Sequence, residues 1–75
     1  MPPLPVVNAR QLLTVLESAG FEIVRQKGSH VRLKHADGRV TTVPMHANCD
    51  IGRGLLRKIL RDAEISREEF LELLG

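Results

Sequence analysis

Ten consecutive residues, Arg25 Gln26 Lys27 Gly28 Ser29 His30 Val31 Arg32 Leu33 Lys34, gather a turn glycine, a hydroxyl, an imidazole and four cations. An imidazole with an ordinary pKa near 6.5 can take a proton at neutral pH, and general base catalysis of that kind typically contributes about 10² to 10⁴-fold. Cleaving a phosphodiester polyanion takes a general base, donors for the phosphate and a proton for the leaving oxygen. His30 suits the first task, and Arg25, Lys27, Arg32 and Lys34 suit the second. Gly28 would let a phosphate approach the backbone, and Ser29 could orient it. Each residue also has a plainer reading. His30 could be a solvated strand residue, the cations could serve solubility and protect a sheet edge, and Ser29 could simply cap the turn.

The leaving group needs an acid, and His46 is a candidate, although a loop histidine anchored after Pro44 is an equal fit to the sequence. His35, His46 and Cys49 are metal-ligand types. A zinc site usually takes four ligands at characteristic spacing, so neither a metal nor another cofactor is expected. Cys49 is the only cysteine, which excludes an intramolecular disulfide and fits a reducing compartment.

The scaffold for these groups must be small. Seventy-five residues bury only about 60% of their unfolded surface, so the chemistry should lie on an open face rather than in a deep pocket. Hydrophobic residues make up 43% and charged residues 27%, the balance of a soluble folded protein. The lead-in holds Pro2, Pro3 and Pro5 with no signal-peptide or membrane-span pattern, and the cytoplasm is the expected location. Residues 25–39 hold five Lys or Arg against Asp37 alone, whereas residues 63–75 hold Arg67 against four Glu. A basic middle and an acidic tail point to a polyanion at the middle.

A single domain over residues 1–75 is expected, with 1–7 a flexible lead-in. Asn8 and Gln11 form a capping box, Val7 and Leu12 a staple, and Ala9, Leu12, Leu13, Leu16 and Ala19 an apolar helical face that Gly20 ends. The period then changes to two. Phe21 with Ile23, and Val31 with Leu33, should face inward, leaving His30, Arg32 and Lys34 outward. Asp37-Gly38 signals a hairpin, and Val40 to Val43 a third strand ended by Pro44. Val40 and Val43 have opposite parity, so the register of this strand stays open. Met45 to Gly52 reads as a loop. Leu55, Leu56, Ile59, Leu60 and Ala63 mark a second helix with Arg53, Arg57, Lys58 and Arg61 on its polar face. Ser66 with Glu69, and Ile65 with Phe70, open a short third one. The fold class is α+β, α-β-β-β-α, with a three-stranded antiparallel sheet packed on helices and a short extra C-terminal helix.

This order, together with Gly20 Phe21, Arg25 to His30, Val43 Pro44 Met45 His46, Gly54, Leu56, Arg57, Ile59 Leu60, Ile65 Ser66, Glu69 Phe70 and Leu73 Leu74, resembles the HicA toxins. Leu55 departs from the threonine usual there, removing a hydroxyl that could cap the helix or touch phosphate. The resemblance implies a fold like the double-stranded RNA-binding domain. It also implies an endoribonuclease (an mRNA interferase) of a type II toxin-antitoxin system, with His30 as the catalytic histidine and a HicB-type antitoxin as inhibitor. The expected partners are therefore mRNA and that antitoxin, with no membrane and no direct DNA contact by this chain. A would-be DNA recognition helix at Ser66 to Leu74 carries Glu68, Glu69 and Glu72, which phosphates would repel. The alternative is a non-catalytic RNA-binding module of the same fold. The only aromatics, Phe21 and Phe70, both fit core faces, so base stacking on them is not available.

Overall fold

The computed structural model describes residues 4–45 and 50–75. His46 and Cys49, singled out above, lie outside the described residues. A strand of two residues, β1 (Val7–Asn8), leads into α1 (Ala9–Ser18). A three-stranded meander follows, β2 (Phe21–Lys27), β3 (His30–His35) and β4 (Val40–Pro44). Then come β5 (Asp50–Ile51), α2 (Arg53–Ala63) and α3 (Arg67–Leu74). The strands are antiparallel in the order β2-β3-β4, and β1 pairs with β5 separately. The architecture is α+β, with the α-β-β-β-α order and a C-terminal helix.

Local chemistry accounts for the helix ends. Asn8 Oδ1 accepts from the Gln11 N–H at 2.8 Å and Gln11 Oε1 accepts from the Asn8 N–H at 2.9 Å, so the capping box is complete. Val7 and Leu12, its staple, are both buried. Ser66 Oγ accepts from the Glu69 N–H at 3.1 Å, one half of the second box. α2 starts at Gly52, which has no side chain to cap it, with Leu55 already the third residue of the helix, and ends at Glu64 in the left-handed region. There the Ile65 N–H reaches back to the Leu60 carbonyl at 2.9 Å.

Leu12, Val15 and Leu16 of α1, Leu56, Ile59 and Leu60 of α2 and Phe70 of α3 bury against Phe21, Val31, Leu33 and Val43 of the sheet. Leu4 and Val7 of the lead-in join the same core. β5 falls inside the segment expected to be loop, and its pairing with β1 ties the start of α1 to the start of α2.

One strand expectation is corrected, and the register left open for the third strand is fixed. Ile23 does not join Phe21 in the core: it is 48% exposed, and its neighbour Val24 is 53% exposed. β2 is an edge strand, and its register against β3 shifts by one residue between Ile23 and Arg25, the signature of a β-bulge. In β4 no bulge is needed, because the inward residues are Thr41 and Val43, with Val40 only half-buried. The buried Thr41 hydroxyl donates to the Ile59 carbonyl at 3.3 Å, which makes a polar side chain acceptable in the core.

The β3–β4 hairpin is fastened to the helices by Arg39. Its Nε donates to Asp37 Oδ1 and Oδ2 at 3.0 and 2.9 Å, and its Nη1 donates to the Ala63 carbonyl at 2.6 Å. The guanidinium also stands 5.2 Å from the Phe21 ring centroid, a cation–π contact. His35 meets that ring edge-on at 5.3 Å, and its Nδ1 accepts from the Asp37 N–H at 3.1 Å. On its other side the His35 ring covers Gly20, where an added Cβ would come 2.8 Å from Nε2 and φ is +98°. No other residue type fits there without displacing the ring.

The hydrogen bond from the Arg39 side chain holds the Asp37 carboxyl below its ordinary pKa of 3.8. A depressed folded-state pKa means that this contribution to stability is present above the unfolded value and is lost as pH falls through the folded one. An Asp37→Asn chain should therefore melt below the parent at pH 6. The gap between the two melting temperatures should close as the pH is taken below 3.8, which thermal denaturation followed by circular dichroism at stepped pH would read.

Candidate nucleic-acid interface

The turn that presents His30 is made by two residues. Lys27 pairs with His30 across the hairpin, leaving Gly28 and Ser29 as the loop. Gly28 has φ +58° and Ser29 is not in the positive-φ region, the pattern of a type II′ turn, whose twist matches that of the strands it joins. The Ser29 carbonyl accepts from the Met45 N–H, so the turn is also anchored to the end of β4. Nothing lies within 4 Å of where a Gly28 Cβ would stand, and the backbone there is open to an approaching group. Ser29 is half-buried in the turn and His30 is exposed.

Parity divides β3 as its sequence suggests. Val31 and Leu33 are buried beneath the helices, while His30, Arg32 and Lys34 are exposed on the opposite face. β2 gets its cations to that face by a different route. Uninterrupted alternation from Phe21 would place Arg25 and Lys27 on the core side with it. The extra residue at the bulge inverts the parity, so Arg25 pairs with Arg32 and Lys27 with His30, and cross-strand partners share a face. The bulge is therefore what assembles the cations around the histidine.

The result is an open hollow of about 250 Å³ lined by Arg25, Lys27, His30, Arg32 and Thr42. Thr42, exposed and paired with Arg32 from β4, is the one lining residue that the sequence did not single out. A threonine in a β-branched run carries no chemical signature until its strand neighbour is known. No carboxylate lines the hollow, and among the described residues none of its three cations takes part in an ion pair. Lys34 is set apart: it pairs with Glu22 and lines a separate depression with Gly20, Val24, His35 and Ala36. The structure thus brings together Arg25, Lys27, His30 and Arg32, with Gly28 and Ser29 at the adjoining turn, and leaves Lys34 at the far end of the same face.

Chemically, the hollow offers a proton acceptor on a fixed backbone beside three unpaired cations and a hydroxyl. Guanidinium and ammonium donors at a shallow, open surface suit phosphate oxygens of an extended polyanion better than a small enclosed ligand. His35, a metal-ligand type by sequence, is occupied by its contacts with Phe21 and Asp37. Among the described residues no three His, Cys, Asp or Glu side chains come together as a metal would require, and no helix is long and apolar enough to cross a membrane.

A family model described as the HicA toxin of bacterial toxin-antitoxin systems matches residues 9–65, from the first residue of α1 to just beyond α2. That span includes the whole sheet and the hollow. No curated protein matches the chain.

Proposed function

We propose, from the premise that the chain belongs to the HicA toxin family of bacterial toxin-antitoxin systems, that it is an endoribonuclease whose general base is His30. Membership carries a toxin role and implies an antitoxin partner. The observation that supports the finer reading is the position of His30, exposed in an open hollow with Arg25, Lys27 and Arg32 and no carboxylate.

In this reading the RNA backbone lies across the outer face of the sheet. Arg25, Lys27 and Arg32 hold phosphate oxygens, Thr42 donates or accepts at the same edge, and Gly28 leaves room at the turn. His30 takes the proton of a ribose 2′-hydroxyl, whose oxygen then attacks the adjacent phosphorus. The bond from phosphorus to the 5′-oxygen breaks, and that oxygen takes a proton, for which His46 is the candidate donor. The products are a 2′,3′-cyclic phosphate and a 5′-hydroxyl, and they need neither a metal nor another cofactor. Mapping the ends tests the scheme directly: a 5′-phosphate with a 3′-hydroxyl would rule out attack by the 2′-hydroxyl.

The same face predicts how binding responds to salt. With the phosphate contacts dominating, log K should fall linearly with log salt, by about 0.7 per phosphate neutralised on a single strand. Replacing Arg25, Lys27 or Arg32 by Gln should each make that slope shallower by roughly one contact and weaken all RNA sequences alike. Fluorescence anisotropy of a labelled oligoribonucleotide over a salt series measures both. An unchanged slope in all three variants would move the RNA elsewhere on the surface.

The implied antitoxin is proposed to be of the HicB type and to inhibit by covering this face, with the action taking place in the cytoplasm. Inducible expression with and without the co-expressed antitoxin, followed by RNA analysis, tests toxicity and its relief together. A non-catalytic RNA-binding module would show the same salt slope without cleavage.

A further inference from the structure

We propose that a second hollow, on the helical side of the molecule, binds an acidic peptide segment bearing one apolar side chain, contributed by a partner protein. It has a volume of about 250 Å³ and is lined by Leu4, Arg57, Leu60, Arg61, Ile65 and Arg67. Arg57 and Arg61 are four residues apart, on one face of α2. Arg67 comes from the first turn of α3. Leu4, Leu60 and Ile65 are buried and form the floor.

Three features make this an incomplete site. Three arginines line one hollow although like charges repel, and among the described residues none has an ion-pair partner. The one carboxylate on α2, Asp62, is taken by Lys58 at 3.1 Å. Arg67 Nε is buried with no hydrogen-bond partner among the described residues, an arrangement that native interiors rarely leave standing. A carboxylate accepting from these forks would answer all three, since guanidinium and carboxylate match in geometry and can pair through two bonds.

The floor decides between kinds of anion. A sugar-phosphate backbone brings no apolar side chain for Leu4, Leu60 and Ile65, whereas an acidic peptide does. Position argues the same way. α2 covers the inner face of the sheet, with Ile59 touching Thr41, and Arg57 and Arg61 are exposed on the side of α2 away from it. An RNA strand seated at His30 is on the other side of the sheet. The hollow can therefore hold a partner while the His30 face stays open, and the inference stands whether or not the chain cleaves RNA.

The test uses the full chain, ¹⁵N-labelled, with the Arg67 Nε–Hε resonance as reporter. The probes are acetyl-Glu-Leu-Glu-amide, its serine analogue acetyl-Glu-Ser-Glu-amide, inorganic phosphate and a short oligouridylate. The leucine peptide should shift the Arg67 resonance and bind about tenfold more tightly than the serine peptide or phosphate, from the buried leucine alone. Arg61→Gln and Arg57→Gln, both at exposed positions that leave the fold intact, should each weaken it by a further factor of about ten. Equal binding of phosphate, a preference for the oligouridylate, an unshifted resonance or indifference to both substitutions would each overturn the proposal. So would a shift that follows protein concentration without any probe, since the occupant would then be a second copy of this chain.

Discussion

A His30→Ala chain is expected to cleave RNA about 10² to 10⁴-fold more slowly than the parent while melting at the same temperature. The rate loss follows from the proposed role: without imidazole the 2′-hydroxyl would have to lose its proton to water, and the cations that remain would only hold the phosphate. The unchanged stability follows from position. His30 is exposed, donates no side-chain hydrogen bond among the described residues and borders a turn whose geometry is set by Gly28. Exposed substitutions away from special backbone positions usually stay within about 0.5 kcal/mol. His35→Ala is the matched control, being a histidine at the opposite end of the same strand. It removes the edge-on contact with Phe21 and the acceptor for the Asp37 N–H, so it should lower the melting temperature and leave the rate nearly alone. Single-turnover cleavage of a labelled RNA, beside a thermal melt of each variant, reads both pairs of outcomes. Cleavage and growth arrest that survive His30→Ala would remove the enzyme reading at its centre.

What made His30 and its neighbours legible in the sequence was local. Gly28 before a strand, the alternation of Val31 and Leu33, the Asn8 and Ser66 caps and the Asp37-Gly38 hairpin all act within a few residues, where spacing and chemistry coincide. The parts that stayed hidden depend on distant partners. The bulge at Val24 has no signature, because a β-branched residue suits a regular strand as well as a bulged one. Yet it alone puts Arg25 and Lys27 beside His30. Thr41 reads as a surface residue until the Ile59 carbonyl is found above it. The β1–β5 pair is too short for periodicity to register, and the link from Arg39 to the Ala63 carbonyl spans 24 positions.

The bulge and the helical layer divide the labour, since one gathers the cations around His30 and the other holds the sheet that carries them. Phe70 tests the second half. It lies outside the residues matched by the family model, in the last helix, yet its side chain has no exposure at all. α3 packs on α1, and Phe70 is the one fully buried side chain that α3 contributes to the shared core, beside the partly buried Leu71, Leu73 and Leu74. Truncating a fully buried phenylalanine to alanine typically costs about 3–5 kcal/mol, from lost transfer energy and the cavity left behind. A chain of this length has a total stability of roughly 4–11 kcal/mol at typical values per residue. Phe70→Ala should therefore remove a large share of the folding free energy, shifting the urea midpoint strongly downward with little change in slope. The residual folded fraction should still cleave RNA at the parental rate per molecule, because every group in the His30 hollow comes from β2, β3 and β4. A normal urea midpoint in Phe70→Ala would mean that α3 is dispensable to the core. A lost rate in fully folded protein would mean that the helical layer reaches the site by a route other than stability.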